Sequence, residues 1–142
     1  MSYYDDGLDK EDLAQYAFSQ GRYKACVSMC CQAADLFLKQ KLSEIDAKSP
    51  YEKDHDFVAI YGVINNKYPS SEDLKFIMYQ CRKYYTESGY SGRFNKTDSS
   101  VYTKDFANEF ICFLQKIKQY IDMDCSEGLK GLAGKYEKRK DI

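Results

Sequence analysis

The 142-residue chain has no tryptophan, two prolines and a single histidine, and each scarcity narrows what it can be. With proline so rare, long stretches are free of the residue that most strongly breaks a helix. No apolar run approaches the ~18 residues of a membrane span. The start, Met1-Ser2-Tyr3-Tyr4-Asp5-Asp6, is acidic where a secretory leader is basic and then apolar, so a cytoplasmic protein with no membrane contact is expected. No segment alternates apolar and polar residues with the period of a half-buried strand, and no unit repeats along the chain. There is no phosphate-binding glycine loop, no helical His-Glu-x-x-His and no Gly-x-Ser-x-Gly turn. The formal net charge is −1, so no global field drives the protein onto nucleic acid or anionic lipid. Any such contact has to come from a local patch.

What is present is a tyrosine-rich, otherwise ordinary globular composition: 14 Tyr, 8 Phe, 44% hydrophobic and 30% charged residues. One domain over residues 1–142 is expected, able to bury roughly two-thirds of the surface of its unfolded chain. Of the six cysteines, most fall in helix-like apolar stripes, where the thiol serves as a small hydrophobe, so reduced thiols are expected. Cys26 and Cys30 could share a helix face as half a zinc site. No second pair supplies the remaining ligands, so neither a metal nor a cofactor is expected.

The periodicity predicts about five helices in an all-α, up-and-down bundle. Leu13, Tyr16 and Ala17 mark a first helix from near Asp9 to Ser19-Gln20-Gly21. Tyr23, Val27, Cys30, Ala34, Leu38, Leu42 and Ile45 advance by threes and fours along a long second helix, 22–45. Phe57, Ile60, Tyr61 and Ile64 give a third, 55–67, closed by Pro69, with Gly62 marking either a close helix crossing or a tolerated surface site. Ser70-x-x-Asp73 resembles a cap for a fourth, carrying Leu74, Ile77, Met78, Cys81 and Tyr85 and running to about Thr86. Phe106, Phe110, Phe113, Ile117 and Ile121 define a fifth from near Thr103. Residues 122–142, glycine-containing and basic at the end, read as a weakly structured or helical extension.

Between the fourth and fifth helices lies a loop, 87–101, longer than bundle connections usually are, and such loops tend to be functional or disordered. Its aromatics Tyr90 and Phe94 favour an ordered loop. Arg93 sits between them, and Arg82 and Lys83 end the preceding helix, so cations could gather there to hold a phosphate while a ring stacks on a base. Equally, Arg82 and Lys83 could simply complement the negative end of their helix.

Several stretches together resemble the HEPN domain family. They are Gly21-Arg22-Tyr23-Lys24-Ala25-Cys26; Cys31-Gln32-Ala33-Ala34-Asp35-Leu36-Phe37-Leu38-Lys39, which in the family reads Gln-Ala-Ala-Glu-x-x-Leu-Lys; His55-Asp56-Phe57-x-x-Ile60; and Tyr90-Ser91-Gly92-Arg93-Phe94. The resemblance implies a helical bundle, commonly a homodimer, found beside minimal nucleotidyltransferases and in RNA-processing and defence systems of toxin–antitoxin type. The family's ribonucleases carry an Arg followed after four to six residues by His. Here the one histidine, His55, precedes Arg82, and no Arg is followed by such a His. The expected function is therefore a non-catalytic module binding a nucleotide, RNA or a nucleotidyltransferase partner, with Arg93, Tyr90, Phe94, Arg82 and Lys83 as ligand-binding candidates. Two alternatives stand beside it: a degenerate, toxin-like ribonuclease using His55 or Tyr85 with Arg82, and a purely structural homodimeric adaptor. His55 itself could serve only to cap its helix or pack against Asp54 or Asp56.

Overall fold

The computed structural model describes residues 2–46, 49–51, 55–70, 72–89 and 99–122. They form five helices, α1 (Tyr3–Ser19), α2 (Tyr23–Ile45), α3 (Phe57–Lys67), α4 (Glu72–Gly89) and α5 (Lys104–Ile121), with a 3-10 turn at Ser99–Val101 before the last; no strand occurs among the described residues. The all-helical bundle expected from the sequence is what the chain adopts. The loop residues Tyr90, Arg93 and Phe94, and the tail from 123 onward, lie outside the described residues.

α2 is the axle of the fold, packing against all four other helices, while α1 and α5 cover one side of it and α3 and α4 the other. Its stripe of Val27, Cys30, Ala34, Leu38 and Leu42 is buried as the spacing predicts, and Phe57, Ile60 and Ile64 of α3, Ile77 and Met78 of α4, and Phe110, Leu114 and Ile117 of α5 close on it.

The ends of the helices follow from local chemistry. α1 begins six residues earlier than Asp9 because the Ser2 hydroxyl caps it, accepting from the Asp5 N–H, with Asp5 and Asp6 set against the positive end of the helix. It ends in a left-handed Gly21, φ 72°, where the Gly21 N–H donates to the Phe18 carbonyl and the Arg22 N–H to the Ala17 carbonyl. That pairing is a Schellman closure. α3 starts at Phe57, not 55, because the Asp56 side chain accepts from the N–H groups of Val58 and Ala59. His55 is thereby left outside the helix.

Two expectations about packing change. Of Leu13, Tyr16 and Ala17, expected to mark α1, Ala17 is buried, whereas Leu13 and Tyr16 are exposed and Ala14 is buried in their place. A Cβ on Gly7 would come within 2.6 Å of the buried Phe37 ring, so α1 lies too close to α2 at that point for any side chain. A Cβ on Gly62 would meet nothing within 4 Å, which makes it a surface glycine and removes the alternative of a tight crossing.

Candidate functional site

Asp35 and Lys39 sit one turn apart on α2, and because α2 packs against all four other helices, both are buried. The Lys39 ammonium lies 3.0 Å from Asp35 Oδ2, with the two side chains 7% and 6% exposed. Charges in so dry a place are rarely tolerated unpaired. The other carboxylate oxygen, Asp35 Oδ1, is buried with no hydrogen-bond partner among the described residues.

His55, freed from α3 by the Asp56 cap, turns its ring to this pair. Its Nδ1 lies 3.2 Å from Asp35 Oδ2 and 3.3 Å from Lys39 Nζ. With the proton on Nδ1, the ring donates to Asp35 and presents Nε2 as an acceptor; with the proton on Nε2, Lys39 donates to Nδ1. Half of the imidazole surface remains exposed. α4 supplies the second wall: the Tyr85 ring stacks on the imidazole at 4.7 Å and 22°, backed by Phe57 at 5.8 Å. The Tyr85 hydroxyl is 3.5 Å from Nε2, and with the rings stacked that contact is van der Waals rather than a directed hydrogen bond.

One turn before Tyr85, the Arg82 guanidinium reaches Asp56 Oδ1 at 3.4 Å and lies 5.1 Å from the Tyr79 ring centroid. Both members of that ion pair are nearly half exposed, so it is weak and readily given up to a stronger anion. The three candidates His55, Arg82 and Tyr85 therefore meet on one face, where α2, the start of α3 and the end of α4 converge. Lys83 does not join them, since its ammonium packs over the ring of Tyr84 at 5.2 Å. Of the residues in the helix-two motif, Asp35 and Lys39 carried no functional expectation, and they form the floor of the site.

Four of the described thiols are a matter of packing. Cys26, Cys30, Cys31 and Cys81 are free and buried, and Cys112 is free and exposed. A hydrogen bond to Cys26 and burial push the Cys30 thiol up, and burial, then a hydrogen bond to Cys81, does the same to Cys31. Thiols held protonated in this way are poor nucleophiles and poor metal ligands. Among the described residues no group of three or more His, Cys, Asp or Glu side chains is placed to hold a metal ion, and no helix is long and apolar enough to cross a membrane.

Comparison with known proteins agrees with this architecture. The profile of the HEPN domain matches residues 3–123. The chain belongs to the HEPN domain family. Among solved structures it is similar to the crystal structure of TT1696 from Thermus thermophilus, with a TM-score of 0.71 at 19% identity, covering 84% of this chain and 93% of that one. That likeness concerns the fold alone. No curated protein matches the sequence.

Proposed function

We propose that this HEPN domain is a non-catalytic module that binds a nucleotide or RNA on the face where α2, α3 and α4 converge. The observation that carries the reading is the Asp35–Lys39–His55–Tyr85 array with Arg82 beside it: a half-exposed ring ready to stack on a base, and cations within reach of its phosphate. Arg93, Tyr90 and Phe94, which follow α4 in sequence, carry the same chemistry, and a nucleotidyltransferase partner or a second copy of the chain would be the assembly in which the family resemblance sets it. Fluorescence anisotropy with labelled ATP and a short labelled RNA tests the reading. The wild type is expected to bind at least one of them, and Arg82→Ala and His55→Ala to weaken that binding at least tenfold. Absence of binding up to millimolar concentration, or variants that bind as the wild type does, would reject it.

A degenerate ribonuclease is the second reading, and the Asp35–His55 contact favours it. In the tautomer whose Nδ1 donates to Asp35, Nε2 can accept a 2′-hydroxyl proton, and Arg82 could neutralise the phosphate. Incubation with total RNA decides between the two. Cleavage lost in both His55→Ala and Arg82→Ala would make the domain a nuclease, whereas no cleavage leaves the binding module.

A further inference from the structure

The outward side of α4 carries one aromatic or cationic side chain at every third position: Phe76, Tyr79, Arg82 and Tyr85. Residues three apart on a helix form a ridge that runs obliquely to its axis, and the ring contacts trace this one across the surface. At one end Phe76 meets Phe113 of α5, centroids 6.3 Å apart and nearly perpendicular. In the middle the Arg82 guanidinium lies over the Tyr79 ring, and at the other end Tyr85 stacks on His55. The row thus passes from the α5 edge of α4 to the functional face described above.

Two features set the row apart from an ordinary helix surface. Phe76 is 58% and Tyr79 43% exposed, large rings that a folding chain usually buries. The charged residues between Leu74 and Thr86 are Lys75, Arg82 and Lys83, all positive, and all exposed. Exposed rings interleaved with cations suit a strand of unpaired bases joined by phosphates, because every base has a face to stack and every linkage an anion to hold. They suit an apolar helix or a second basic surface less well. From Phe76 to Tyr85 is nine residues, about 14 Å along the axis, roughly four times the ~3.4 Å per nucleotide of a stacked strand.

We propose that the Phe76–Tyr79–Arg82–Tyr85 row is a track for a single-stranded RNA segment of about four nucleotides, one of which is held at the His55 end. The proposal rests on the nucleotide or RNA reading above and names its ligand as a strand rather than a mononucleotide.

Anisotropy titrations of the full chain test it with three probes: a fluorescein-labelled RNA nonamer without self-complementarity, the same nonamer as a duplex, and fluorescent AMP. The single strand is expected to bind at least ten times more tightly than AMP or the duplex, whose bases are already stacked. Phe76→Ser and Tyr79→Ser are each expected to weaken nonamer binding about tenfold, and Phe76→Ser to move AMP binding less than threefold. Thermal melts confirm folding, and if Phe76→Ser is unfolded through loss of the Phe113 contact, Tyr79→Ser decides alone. AMP bound at the His55 end, with a nonamer no tighter than AMP or unmoved by the row variants, overturns the track and leaves the nucleotide reading standing. No binding of any probe overturns both. Variants that dissociate a dimer in light scattering but leave RNA affinity unchanged assign the row to self-association and also overturn the track.

Discussion

The strongest stability prediction concerns the buried ion pair beneath the site. Lys39→Met removes the ammonium 3.0 Å from Asp35 while keeping the length of the side chain, so a buried carboxylate remains whose Oδ1 already lacks a partner among the described residues. Breaking a buried pair from one side costs about 3–5 kcal/mol, and because His55 Nδ1 stays within 3.2 Å of Asp35, the lower end, about 3 kcal/mol, is expected here. Asp35→Leu should cost about 2 kcal/mol, since the stranded ammonium still reaches the half-exposed His55. In Lys39→Met/Asp35→Leu neither charge is left to solvate, and the double variant should lose no more than about 2 kcal/mol, a coupling near 3 kcal/mol. Urea unfolding followed by helical circular dichroism measures all four proteins, and the single Lys39 variant should also melt about 9 °C lower. If the two single losses add to within about 0.5 kcal/mol in the double variant, the pair is not the coupled, desolvated unit that the geometry describes.

Two further outcomes follow from other parts of the bundle. The Tyr102 hydroxyl is buried without a partner among the described residues, and burial first, then Tyr84 and Glu87, pushes its pKa up to about 12 from the usual 10.0. A raised folded value means that the hydroxyl ionises more readily in the unfolded chain, so stability is unaffected by its titration below pH ~10 and falls as pH rises towards 12. Tyr102→Phe should therefore gain about 1 kcal/mol at neutral pH and melt with a shallower decline between pH 10 and 12, both read by differential scanning fluorimetry. The glycines supply a matched pair: Gly62→Ala, with open space at its Cβ, should stabilise α3 by about 1 kcal/mol, whereas Gly7→Ala, driven into the Phe37 ring, should destabilise by about 1–3 kcal/mol. Equal shifts in the two melts would contradict the close approach of α1 to α2.

Helices α2 to α5 were legible because each repeats large apolar residues at threes and fours, which one-dimensional spacing reveals directly. α1 was read short for physical reasons. Its first turn, Tyr3-Tyr4-Asp5-Asp6-Gly7, carries no apolar stripe, and Gly7 looks like a helix breaker when it is in fact the gap that admits Phe37. Its buried face was partly misassigned for the same reason: where two helices lie close, alanine fills the seam and Leu13 and Tyr16 are turned outward.

The site was half legible. His55, Arg82 and Tyr85 stand out as scarce or suggestively placed chemistry, and the structure brings them together. Asp35 and Lys39 gave one available signal, a charged pair at i,i+4 beside the apolar stripe of a long helix. On an isolated helix that spacing describes a solvated pair, and only the central position of α2, set by four tertiary contacts, makes it a buried one. The meeting of Asp35 with His55, twenty residues on, depends on the Asp56 cap that stops α3 one residue short of the histidine.

The most direct test of the central claim is amide chemical-shift mapping of the full chain during titration with ATP and with a single-stranded RNA nonamer. The account predicts shifts concentrated at Lys39, His55, Arg82 and Tyr85, extending along α4 to Phe76 with the nonamer. Saturable shifts confined instead to the α1–α2 groove around Leu13, Tyr16 and Met29, or no shifts with either ligand, would contradict it.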